Sequence, residues 1–119
     1  MIMPVVPFEI TKYKVLITPG TKLSVREVDT EYQGWIHCFG EKGQYNIYFI
    51  KDGSPIPTPR VYNTRPTFGR AAVYLEYRYM PIYLDILRNE KPIYAIVDSD
   101  SPDRCRIQTM LEDIGEDDD

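Results

Sequence analysis

Between residues 60 and 94 the chain interleaves guanidinium and phenol side chains: Arg60, Tyr62, Arg65, Arg70, Tyr74, Tyr77, Arg78, Tyr79, Tyr83, Arg88 and Tyr94. On a β surface such a mixture can stack single-stranded bases on the rings while the cations neutralise phosphates. The same residue types anchor protein interfaces. A plainer account is also open, because tyrosine forms strands well and covers the rim of a small core with its hydroxyl in water. The formal net charge of −4 and an acidic C-terminal end would compete with phosphate, so the sequence ranks a protein partner first. The expected partner-binding residues are Arg60, Tyr62, Arg65, Arg70, Tyr74, Arg78 and Tyr83, with a proline-rich loop and exposed tyrosines near Tyr74 and Tyr83 forming the surface.

A second group is oxygen-rich. Asp98, Asp100 and Asp103 fall within six residues of one expected loop, and carboxylates so spaced suit calcium. The glycine that bends an EF-hand loop and its closing glutamate are missing, and Ser99 or Asp100 capping a turn before Pro102 is the simpler account.

Catalytic chemistry has little to stand on. His37 is the sole histidine, and its neighbour Cys38 points to the opposite face of the same expected strand, so the two cannot readily meet. Neither a phosphate-binding glycine loop nor a paired-histidine metal motif is present. Cys38 and Cys105 are far apart and read as two reduced thiols in or near the core. The expectation is a protein that is not an enzyme and needs no cofactor.

The elements that would carry these side chains read as short strands. Tyr13, Val15 and Ile17 share one side of residues 12 to 18, and Pro19-Gly20 is expected to turn the chain. Leu23 and Val25 share a side of the next run, from which Val28 falls out of phase, a sign of a bulge. Further on, Trp35, His37 and Phe39 oppose Tyr32, Gly34, Ile36 and Cys38, with a tight turn at Glu41-Lys42-Gly43. Tyr45, Ile47 and Phe49 oppose Asn46, Tyr48 and Ile50, and apolar groups on both sides predict a central strand. Pro55, Pro57, Pro59 and Pro66 predict a surface loop or sheet edge, because a central strand cannot lose so many N–H donors. Residues 68 to 80 read as strand, rich in Val and Tyr.

Pro-Ile-Tyr then occurs twice, at residues 81 to 83 and 92 to 94, around the polar Arg88-Asn89-Glu90-Lys91. Pairing Ile82 with Val97, Leu84 with Ala95 and Ile86 with Ile93 gives an apolar face at period two, so residues 80 to 98 are predicted as a hairpin. Residues 104 to 110 supply a last short strand. Seven or eight short strands with frequent turns predict an all-β fold, a small partly open barrel of the SH3-like kind.

With 119 residues, 43% hydrophobic and 27% charged, the chain is expected to form one β domain over 1–110 followed by an acidic tail at 111–119. No apolar run approaches the roughly 20 residues of a membrane span, and the start lacks the layout of a secretory signal, so a cytoplasmic location is expected. Residues 80 to 95, with Asp98-Ser99-Asp100-Ser101-Pro102 and Glu112-Asp113-Ile114-Gly115-Glu116, resemble the C-terminal half of small cyanobacterial proteins of mostly unknown function. That group includes an inhibitor of heterocyst differentiation. The resemblance implies a non-enzymatic regulatory protein, transfers no site residues, and leaves a single-strand nucleic-acid binder and a calcium-responsive protein as alternatives. Nothing in the sequence fixes the oligomeric state.

Overall fold

A computed structural model describes residues 4–62 and 67–110. In chain order the elements are β1 (Val5–Glu9), β2 (Lys12–Val25), β3 (Val28–Gly40), β4 (Gly43–Ile50), β5 (Arg60–Val61), β6 (Gly69–Glu76), a 3-10 turn (Tyr77–Tyr79), α1 (Met80–Asn89), β7 (Tyr94–Asp98), a second 3-10 turn (Pro102–Arg104) and β8 (Arg106–Gln108). They form a five-stranded sheet in the order β2-β3-β4-β6-β5 and a three-stranded sheet in the order β1-β7-β8. The fold is mostly β, and neither sheet closes into a barrel. The expected tail at 111–119 lies outside the described residues.

β4 and β6 run parallel, so the chain must return from the end of β4 to the start of β6, and it pairs on the way as β5. That return passage takes the proline-rich loop over one end of the sheet and leaves β5 as a two-residue edge strand, paired only to β6. Pro55, Pro57 and Pro59 fall in the expected loop, Pro66 lies outside the described residues, and the strand pattern of residues 45 to 50 correctly marks β4 as central.

β2 is longer than its composition suggests. The Pro19-Gly20 pair does not turn the chain; β2 continues through it to Val25 with a register shift between Ile17 and Thr21. An edge strand tolerates a proline, since the missing N–H can fall on the unpaired side. The reversal comes instead at Arg26-Glu27, both at positive φ (47° and 72°), the backbone of a two-residue hairpin loop. Val28 is therefore the first residue of the returning strand, which explains its phase.

The expected hairpin over residues 80 to 98 is replaced by a helix. Met80, Tyr83, Leu84 and Leu87 recur at helical spacing and pack on the core, and Pro81 sits in the first turn, where its missing N–H leaves no hydrogen bond unmade. Asn89 Nδ2 donates to Asp85 Oδ1 at 2.8 Å across one turn. Of the second Pro-Ile-Tyr, Tyr94 begins β7, which pairs with β1 and β8 and not with the first copy.

The helix and the small sheet both cover one face of the large sheet. Phe8, Ile36, Cys38, Tyr45, Ile47, Phe49, Val73, Met80, Leu87, Ala95 and Val97 make the main core. Glycines admit the covering layer at close range. A Cβ on Gly34 would stand 2.7 Å from Met80 Sδ, and one on Gly43 would stand 2.3 Å from two Phe8 ring carbons. Among the described residues no helix or second sheet covers the opposite face of the large sheet, and the loop at 51–59 folds over part of it. Thr30 Oγ1 donates to the Pro55 carbonyl and Arg26 Nη2 to the Thr58 carbonyl, which ties that loop above a smaller cluster of Val25, Ile50, Ala72 and Tyr74.

Candidate functional site

Strand alternation and register order the outward-facing side chains of the large sheet into rows. Lys12 lies opposite Phe39, Phe39 opposite Gln44, and Gln44 opposite Arg70; the Tyr62 N–H then donates to the Arg70 carbonyl at 2.8 Å. The next row runs Lys14, His37, Asn46, Ala72 and Arg60. A third runs Leu16, Trp35, Tyr48 and Tyr74. No carboxylate stands in these three rows, although the chain as a whole is acidic.

The first two rows have a cation-bearing ring at each end and amides between. Lys12 Nζ and Lys14 Nζ lie 5.5 and 5.7 Å from the centroid of Phe39, while the guanidinium carbons of Arg60 and Arg70 lie 5.0 and 5.7 Å from that of Tyr62. Contacts of this kind at exposed positions contribute about 0.5–1 kcal/mol each. Between them Gln44 Nε2 donates to Asn46 Oδ1 at 3.1 Å. Asn46 is 7% exposed and forms the floor. With neighbouring strands about 4.8 Å apart, β2 and β6 place their cations on the order of 14 Å from each other.

The third row is a chain of rings. Trp35 and His37 stack at 3.7 Å and 11°, His37 meets Tyr48 edge-on at 5.6 Å, and Tyr48 stacks with Tyr74 at 5.5 Å. Burial first, and the Lys14 charge second, lower the His37 pKa from its usual value, and its buried Nε2 has no hydrogen-bond partner. Burial raises the Tyr48 and Tyr74 phenols, which stay neutral.

Of the expected partner-binding residues, Arg60, Tyr62, Arg70 and Tyr74 meet on this face. Tyr74 is buried, at 8% exposure, and cannot serve as an exposed tyrosine. Tyr83 is on the far side of the sheet, partly buried and edge-on to Phe49 at 5.8 Å. Arg78 pairs with Glu76 at 2.8 Å on the exposed turn before α1. Arg65 lies outside the described residues. The expected single surface is thus divided by the sheet itself.

The aspartates do not gather. Asp98 Oδ1 accepts the backbone N–H groups of Asp100 and Ser101, each at 3.1 Å, so it is Asp98 that caps the turn. Asp100 and Asp103 are exposed, and among the described residues no group of three or more His, Cys, Asp or Glu converges on one point. Cys38 and Cys105 are free thiols, and burial pushes Cys38 up to about 12. A thiol so raised is a poor nucleophile.

Sequence reasoning missed Lys12, Lys14, Phe39, Gln44 and Asn46 as site residues. The alternation already placed Trp35, His37 and Phe39 on one side and Asn46 and Tyr48 on one side. What it lacked was the strand order that joins them. The chain matches no protein-family model, no curated protein and no solved structure.

Proposed function

We propose that the protein is a non-enzymatic binding protein whose open sheet face takes single-stranded nucleic acid. One observation carries this reading: two adjacent rows, Lys12-Phe39-Gln44-Arg70 and Lys14-His37-Asn46-Ala72-Arg60, put four cations and two cation-capped rings together with no carboxylate in either row. Cations neutralise phosphates and rings stack bases of any identity, which is the chemistry of single-strand recognition on sheets. The regulatory role implied by the cyanobacterial resemblance is compatible with such binding.

The test is fluorescence anisotropy with labelled eight-nucleotide DNA and RNA. Four phosphate contacts predict an affinity loss of about 50-fold between 50 and 200 mM salt. Lys12→Ala with Lys14→Ala should weaken binding and reduce the salt slope without moving the thermal midpoint. No binding at low salt, or binding indifferent to both lysines, overturns the reading.

A protein partner remains a second reading, favoured by a different place. Ile17 (64% exposed) and Val15 (41%) project from edge strand β2, and Ile17 borders a groove lined by Tyr77, Met80, Pro81 and Leu84 together with Asp85 and Arg88. An unpaired strand edge beside apolar pockets suits addition of a partner's strand. Ile17→Asp should then abolish capture of the partner and leave oligonucleotide binding intact. Retained capture sinks this second reading.

A further inference from the structure

β2 ends the five-stranded sheet, and among the described residues no strand pairs with its outer side. At the other end of that sheet β5 is only two residues long, so the edge long enough to take another strand belongs to β2. Lysines and prolines are the residues that commonly blunt such an edge. β2 carries both: Lys12 and Lys14 lie among the exposed Val15 and Ile17, and Pro19 follows them. The stretch free to enter a ladder is residues 12 to 18, and its lysines decide what can lie against it.

A second copy of this stretch fits in one antiparallel register. Directly opposed residues share a face, so a register that keeps both helix layers on the same side of the joined sheet is centred on a residue. Centring on Tyr13 sets Lys12 against Lys14, and centring on Lys12 or Lys14 sets that lysine against itself. Like charges directly opposite destabilise a sheet. Centring on Leu16 sets Tyr13 against Pro19, and centring on Ile17 sets Val15 against it, which takes an N–H donor out of the ladder. Centring on Val15 avoids both faults.

In that register Val15 faces its own copy, Tyr13 faces Ile17, Lys14 faces Leu16 and Lys12 faces Thr18, each of the last three pairs occurring twice by symmetry. On the covered side Tyr13 packs against the core and Ile17 borders the groove of Met80 and Leu84, so apolar groups meet there. On the open side the two Lys14 side chains are diagonal neighbours, about 7–8 Å apart, where water and salt screen them.

We infer that the protein forms a two-fold dimer in which β2 of one copy pairs antiparallel with β2 of a second, centred on Val15, joining the two five-stranded sheets into one. A contact of this symmetry closes on itself and does not grow into a fibre. The inference rests on the reading of the β2 edge as a place for a partner's strand, and it names that strand.

Sedimentation velocity over a dilution series should show the unmodified chain passing from dimer to monomer. Val15→Lys, which sets two lysines face to face at the dyad, should sediment as monomer at every concentration, whereas Val15→Thr should keep the dimer. Val15→Cys should form a disulfide-linked dimer under mild oxidation, because the two introduced thiols face each other, while the unmodified protein, with Cys38 and Cys105 alone, should not. A chain that is monomeric throughout the series overturns the inference, and the Ile17→Asp capture assay then still decides whether another protein's strand takes the edge. A dimer that persists in Val15→Lys, or that fails to cross-link through Val15→Cys, places the contact elsewhere and also overturns it. The cross-link decides the matter even where circular dichroism shows that Val15→Lys has not folded.

Discussion

His37 shows how a residue chosen for suspicion by its type acquires a role from its neighbours. The sole histidine offers no catalytic pair in the sequence, and in the fold its ring is stacked on Trp35, faces Tyr48 edge-on and stands beside Lys14 on β2. Burial and that lysine both oppose its protonation, so its folded pKa lies below the usual value of 6.5. The unfolded chain then binds the proton more readily, and stability must rise with pH across the interval between the two values. The contribution is whole above about pH 6.5 and is lost as pH falls through the lower, folded value. The thermal midpoint should therefore drop between pH 7 and pH 5.5, a range in which most carboxylates remain ionised. His37→Phe, which keeps a ring against Trp35 but cannot take a proton, should flatten that slope. An unchanged slope in the variant would show that the histidine is not the titrating group.

At the scale of elements, the glycines and the helix hold the covered face in place. Gly43 begins β4 where Phe8 crosses the sheet, and an added Cβ would meet two Phe8 ring carbons at 2.3 Å and the Gly69 carbonyl oxygen at 2.7 Å. Phe8 is 4% exposed and a backbone carbonyl does not swing aside, so neither neighbour can yield cheaply. Gly43→Ala should cost about 1–3 kcal/mol, read as a lower urea midpoint with an unchanged slope. A neutral result would mean that the small sheet shifts freely over the large one. The strands themselves were legible because one buried face imposes period two, and β3 and β4 fall where alternation puts them, whereas the strand expected over residues 68 to 80 ends at Glu76 and gives way to a 3-10 turn at Tyr77–Tyr79 and to α1 from Met80. Residues 80 to 89 were not, because Met80, Tyr83, Leu84 and Leu87 fit a helix while Ile82, Leu84 and Ile86 fit a strand equally well. The decision lay with Pro81, which opens a helix as readily as it closes a strand. The turn at Arg26-Glu27 was hidden for another reason: neither residue is the asparagine or glycine that positive φ usually demands.

For the whole molecule the decisive fact is the parallel pairing of β4 with β6, which no local pattern announces. It brings Arg70 beside Gln44 and, through β5, carries Arg60 and Tyr62 to the same face as Lys12 and Lys14 from the start of the chain. The arginine and tyrosine half of the site was legible from composition, while the lysine and amide half became visible only through that topology. The arrangement also predicts a length requirement. Cations on β2 and β6 stand on the order of 14 Å apart, so a dinucleotide can engage one cluster but not bridge to the other. Strands of four or five nucleotides, the lower end of the site sizes of about 4–16 known for single-strand binding folds, can reach both. Affinity measured against oligonucleotides of two to eight nucleotides should therefore rise in one step near four and then level off. In Arg60→Ala the step should shrink, because the far cluster loses part of its charge, while the binding of dinucleotides at the lysine end should persist. A smooth rise with length in both proteins would mean that the two clusters do not act on one strand together, and the open face would no longer describe a single site.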